Sequence, residues 1–165
     1  MIQFKWTYLV AALLLAIGGY YMYQKYKVAP QLSFSALPLR NLNNEVVSLE
    51  DYKGKKVLLC FGASWCGNCR VELKDLLAVY KEQLPDVEIL VISDEKLETI
   101  RMFKDSKSYP FTFLQLQGSF SSIGIHSIPT SYILNKAQEV KKETVGYLNW
   151  TDPSTAKHLY MLMGD

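Results

Sequence analysis

The sequence predicts an α/β domain, a mixed sheet flanked by helices, preceded by one N-terminal transmembrane helix. Three observations point there. The chain opens on a long run without charge, strand-like apolar runs then alternate with amphipathic helical segments, and two late strands form a hairpin before a closing helix. At 165 residues the chain suits one domain of ordinary size, assigned to residues 29–165, with the anchor at residues 1–28.

The 19 residues Trp6–Gln24 carry no charge, and their centre is Leu9-Val-Ala-Ala-Leu-Leu-Leu-Ala-Ile17. At ~1.5 Å per residue they make roughly 28 Å of helix, close to a ~30 Å hydrocarbon core. Trp6 and Tyr8 at one end, and Tyr20, Tyr21, Tyr23 and Tyr26 at the other, match the aromatic belts of the two headgroup layers. The rival is a cleaved signal peptide ending at Ala16-Ile17-Gly18. An uncleaved anchor is preferred because apolar and aromatic residues continue past Gly19 to Tyr23. No cysteine follows the run, which excludes a lipid-anchored lipoprotein. Lys5 with the amino terminus faces Lys25 with Lys27, so flanking charge leaves the orientation open.

Residues 30–39 read as a linker. Val46-Val-Ser-Leu49 forms a short strand after an Asn43-Asn44 turn, and Val57-Leu-Leu-Cys-Phe61 is continuous enough for a buried strand. Residues 66–84 carry helical periodicity through Val71, Leu73, Leu76, Leu77 and Tyr80, and stop before Pro85. Val87-Glu-Ile-Leu-Val-Ile92 is a second buried strand, followed by an amphipathic helix over 95–107. Phe111-Thr-Phe-Leu114, Ser131-Tyr-Ile-Leu134 and residues 140–145 complete the strands. A last helix starts at Pro153, capped by Thr151 or Asp152.

Composition removes several classes. A charged fraction of 21% and 13% aromatics exclude a disordered chain, and three cysteines do not make a disulfide-dense mini-protein. The net charge of +2 comes from the N-terminus: without Lys5, Lys25 and Lys27, 15 basic residues remain against 16 acidic ones. No basic stripe with interleaved aromatics is left to bind nucleic acid.

Trp65-Cys66-Gly67-Asn68-Cys69 follows a buried strand and opens a helix. A thiolate at a helix N-terminus meets free backbone N–H groups and the positive end of the dipole, which lowers its pKa from ~8.5 towards ~3.5–7.5. Two intervening residues bring the second sulfur one turn along, within disulfide reach. Cys66 is therefore expected to be the exposed attacking thiol, and Cys69 the thiol that resolves the mixed disulfide. Zinc would need four ligands, and only Cys60, His126 and His158 remain to supply them. Covalent haem attachment would need histidine where Arg70 stands, and a static disulfide closing so small a loop stabilises little. No metal and no cofactor beyond the thiols is expected.

The segment Phe61-Gly-Ala-Ser-Trp-Cys-Gly-Asn-Cys-Arg-Val-Glu-Leu73 resembles the active-site segment of thioredoxin-fold proteins, specifically the membrane-anchored TlpA/ResA-like thiol-disulfide oxidoreductases. Its lead-in, Leu49-Glu-Asp-Tyr-Lys-Gly-Lys-Lys-Val-Leu-Leu59, and Gly124-Ile-His-Ser-Ile-Pro-Thr-Ser-Tyr-Ile-Leu-Asn135 also resemble that family, over about residues 32–150. The resemblance implies a thioredoxin fold and an active domain outside the cytoplasm, hence a single-pass protein of the cytoplasmic membrane. It implies a cis Pro129 packed against the cysteines, which also keeps metal from the thiol pair, and an Ile128 that offers its backbone to an extended substrate, with Trp65 shaping the same groove. Glu72, in the pattern Cys-Arg-x-Glu, would assist proton transfer at Cys69, with which it shares a helix face; the alternative is a solvated glutamate on that helix.

The resemblance further implies protein disulfide substrates, a membrane thiol-electron donor that keeps the pair reduced, and a reductase serving cytochrome c maturation or envelope thiol homeostasis. An oxidase, or a tethered binding or chaperone module with its cysteines permanently oxidised, is the alternative. A peroxiredoxin would want a Thr-x-x-Cys motif, which the sequence lacks. Three departures stand out. Cys60 occupies a position where thioredoxins carry a buried aspartate and TlpA-like proteins commonly an asparagine; it reads as a small core residue, with a third redox thiol as the alternative. Gly62 replaces an aromatic beside the motif. Lys74 replaces a proline of the following helix, which leaves that helix's kink open. His126 is expected on a solvated loop.

Overall fold

A computed structural model describes residues 6–27 and 29–164. Lys5 lies outside the described residues, as do the side chains of Lys25, Tyr26 and Lys27. Helix α1 (Trp6–Lys27) is exposed over residues 6–23, and its Trp6–Gln24 window is long and apolar enough to cross a membrane. Apolar residues circle it rather than forming one stripe, so no face is set aside for packing on the domain.

Seven strands then form one sheet. In chain order they are β1 (Leu39–Asn41), β2 (Val46–Val47), β3 (Lys56–Phe61), β4 (Val87–Ser93), β5 (Thr112–Leu116), β6 (Thr130–Leu134) and β7 (Val140–Val145). Their spatial order is β2-β1-β5-β4-β3-β6-β7. Parallel pairs β3·β4 and β4·β5 form the centre, and β6 runs antiparallel to β3 with Cys60 opposite Ser131. Both parallel pairs need crossovers, which α2 (Gly67–Gln83) and α3 (Leu97–Lys107) supply. The last helix, α4 (Pro153–Leu162), is capped by Asp152, whose carboxylate accepts from the Ser154 N–H at 2.8 Å.

The two sheet faces bury different partners. Leu58, Cys60, Ile89, Val91, Phe113 and Ile133 point at the helices, where Leu73, Leu76, Ile100 and Leu159 meet them. Val57, Leu59, Phe61, Leu90, Ile92 and Tyr132 face the other way, and chain without α-helix covers them. That covering corrects the linker expected over 30–39. Ala29, Leu37 and Leu39 are buried against this face, and the Tyr132 hydroxyl donates to the Pro30 carbonyl at 2.6 Å. Residues 34–36 form a short 3-10 turn, and Leu39 starts β1, paired antiparallel with β5. The strand expected to reach Leu49 stops at Val47, because Ser48 caps a 3-10 turn over Leu49–Tyr52. Helix α2 runs unbroken through Lys74.

Candidate active site

Strand β3 delivers the cysteine segment to the C-terminal edge of the parallel strands, where open α/β sheets place their sites. Cys66 is the cap of α2: its backbone is extended (φ −77°, ψ 111°), and its Sγ accepts from the Cys69 N–H at 3.2 Å. The two cysteines form a disulfide with Cα atoms 5.3 Å apart. Trp65 stands out at 70% exposure. Cys66, expected to be exposed, keeps only 7% of its surface and Cys69 only 3%. The reason is local: Ala63 and Ile128 pack on the pair. The Ile128–Pro129 bond is cis, with Ile128 half-buried and Pro129 buried.

Glu72 is the unusual group. At 2% exposure its carboxylate accepts from the Ser131 hydroxyl and the Leu148 N–H, each at 3.1 Å. Burial pushes its pKa up to about 7, against the lowering effect of Leu148, Ser131 and the Trp150 indole; Asp75 adds a smaller upward push. The Trp150 N–H lies near enough to Glu72 to lower its pKa but falls short of a hydrogen bond of ordinary geometry; among the described residues it is the one buried side-chain nitrogen or oxygen without such a bond. Cys60, Cys69, Glu72 and Pro129 line one small cavity of about 10 Å³, close to the minimum for a single water. Burial, then the neighbouring Glu72, raises the Cys60 thiol far above its ordinary range, with Ser131 opposing; Cys60 stays protonated.

Gly62 also borders the pair. A Cβ there would meet the Cys69 Cβ and Sγ at 3.2 Å, tight enough that Cys69 would have to shift to admit it. On the other side of the loop, Glu95 holds the chain before Trp65 by accepting from the Ser64 N–H and hydroxyl, both at 2.7 Å, while the Ser93 hydroxyl donates at 3.1 Å. The sequence reading missed Glu95, Ser131 and Trp150. Their role comes from partners far along the chain, which a local motif does not announce. The structure thus brings Cys66, Cys69, Glu72, Ile128 and Pro129 together, with Trp65 at the rim and His126 exposed on its loop.

The AhpC/TSA family model matches residues 27–143. The chain belongs to the AhpC/TSA family. The chain is 33% identical over 158 residues to the thioredoxin-like protein YneN of Bacillus subtilis, covering 86% of this chain and 90% of that one. It is 26% identical over 152 residues to the thiol-disulfide oxidoreductase ResA of Geobacillus thermodenitrificans, covering 87% of each. The crystal structure of StoA from Bacillus subtilis superposes with a TM-score of 0.57 at 22% identity, over 78% of this chain and 98% of that one, a likeness of fold. This AhpC/TSA member is a thioredoxin-like enzyme, a thiol-disulfide oxidoreductase of the ResA/StoA type.

Proposed function

We propose that the protein reduces disulfides of protein substrates outside the cytoplasm, with Cys66 and Cys69 as its redox pair and residues 1–28 as its membrane anchor. One observation carries the reading: a disulfide at the N-terminus of α2 lies against a cis-proline and beside a buried carboxyl whose pKa is raised to about 7.

In the dithiol form, the helix N-terminus and the Cys69 N–H favour a Cys66 thiolate. That thiolate attacks a substrate disulfide; a bond forms between Cys66 and one substrate sulfur, and the other sulfur leaves and takes a proton from solvent. The Cys69 thiol then gives its proton to ionised Glu72 and attacks the Cys66 sulfur. The second substrate sulfur leaves as thiolate, the substrate has gained two electrons, and the enzyme is left with the Cys66–Cys69 disulfide. Trp65 and the Ile128–Pro129 backbone form the docking rim. A dithiol donor in the membrane returns the two electrons and closes the cycle. The long apolar α1 supports the anchor, and the likeness to TlpA/ResA-like proteins supports the sidedness.

In-cell trapping with a membrane-impermeant thiol reagent tests the reading. The expected result is a reactive Cys66 on intact cells and its partner captured as a mixed disulfide in Cys69→Ser. A pair trapped wholly as disulfide in growing cells would favour an oxidase or a binding module instead.

A further inference from the structure

Beyond the docking rim, a second groove opens between α2 and α3, with a volume of about 460 Å³. It begins at Gly67, between the two cysteines, and its floor includes Leu77 and Phe103. Arg70, Lys74 and Lys107 stand around that floor, and no carboxylate lines it. All three cations are exposed, and none of them takes part in the ion pairs, side-chain hydrogen bonds or cation–π contacts of the described residues. The concentration is local, because the chain from residue 29 onward has 15 bases against 16 acids. Cations around an apolar floor attract an anionic segment and offer a seat for an apolar side chain.

We propose that this groove docks an acidic stretch of the protein whose disulfide reaches Cys66, with an apolar side chain of that stretch lying on Phe103 and Leu77. The inference rests on exchange between the Cys66–Cys69 pair and a protein partner. It adds a basis for selecting among partners, since a surface ion pair is worth about 1.5- to 5-fold in affinity and steers encounter at low salt.

The test uses reduced full-length protein in detergent and three peptides sharing one disulfide loop and one leucine, flanked by Glu-Glu, Ser-Ser or Lys-Lys. The expected kcat/KM for the Glu-Glu peptide exceeds that for Ser-Ser by about tenfold at low ionic strength, and the preference collapses in ~0.5 M salt. Lys74→Glu with Lys107→Glu, neither of which lines the cavity beside Cys69, is expected to turn the preference towards Lys-Lys. The rate with uncharged 2-hydroxyethyl disulfide should stay unchanged, showing an intact fold and dithiol. Equal rates for Glu-Glu and Ser-Ser peptides, or a preference that survives the double reversal, would overturn the docking site. No exchange with any disulfide, the small one included, would instead overturn the functional reading, and the docking site with it.

Discussion

On one side of the Cys66–Cys69 pair an acid is buried among apolar side chains; on the other, three cations stand in water around an apolar floor. Glu72 sits where charge is costly, so burial moves its ionisation up to about 7, with Leu148, Ser131 and Trp150 opposing and Asp75 adding to the rise. Arg70, Lys74 and Lys107 sit where charge is cheap, so their effect is weak, additive and screened by salt. The difference separates two jobs around one pair of sulfurs. In the reading proposed above, the dry flank governs proton chemistry and responds to pH, and the wet flank governs encounter and responds to ionic strength.

Both flanks border the Cys66–Cys69 disulfide, and the largest expected effect is there. Cys66→Ser should lower dithiol exchange with a model disulfide at least ~10³-fold, as expected for removal of a nucleophile. Glu72→Gln comes next. Its carboxylate acts as a base only when ionised, so the wild-type rate of Cys69 attack should rise through about pH 7, and the variant should lose that rise, with a deficit of ~10²-fold at pH 8. An unchanged profile would remove Glu72 from the chemistry.

The same substitution should act on stability with the opposite sign. A carboxyl whose folded pKa is raised binds its proton more tightly folded than unfolded, so stability is highest below about 4.5 and falls as pH rises through about 7. Glu72→Gln escapes that loss. It should be more stable than wild type at pH 8 by at most ~3 kcal/mol, with the gap closing at acid pH, as urea titrations at the two pH values would read.

Gly62→Ala should cost about 1–3 kcal/mol, because its Cβ would press on the Cys69 side chain at 3.2 Å. A thermal melt of the oxidised protein reads this, and an unshifted melt would show that Cys69 yields freely. The smallest effect belongs to Trp150→Phe. It removes the N–H that lowers the Glu72 pKa, so the carboxyl's NMR titration midpoint should move up from about 7. A midpoint that fell would mean the indole acts by excluding water rather than as a dipole.

The sequence carried the near half of this site. A buried strand, a two-residue spacing between cysteines and a helix start are local facts, and Pro129 lay in a segment with a family resemblance of its own. The partners of Glu72 were out of reach: Ser131 and Leu148 lie 59 and 76 residues away along the chain, and only the closing of β6 on β3 and the packing of α4 bring them in. Glu95, 31 residues from Ser64, is hidden for the same reason. β1 and the chain before it looked like a linker because their apolar residues are scattered, and scattered residues show no period until a sheet face selects them. Cys60 was legible as a core residue, and the structure adds that it stands between Ser131 and the cavity beside Cys69.

In the proposed cycle Cys66 and Cys69 form a reversible redox pair, and Cys60 takes no part in it. Full-length protein equilibrated across a series of dithiothreitol redox buffers, then quenched with a maleimide and weighed, tests it most directly. Labelling should move between none and two per chain in a single reversible two-electron transition, with both labels mapping to Cys66 and Cys69. Labelling that does not change across the series, or a third label on Cys60 in the folded protein, would contradict it.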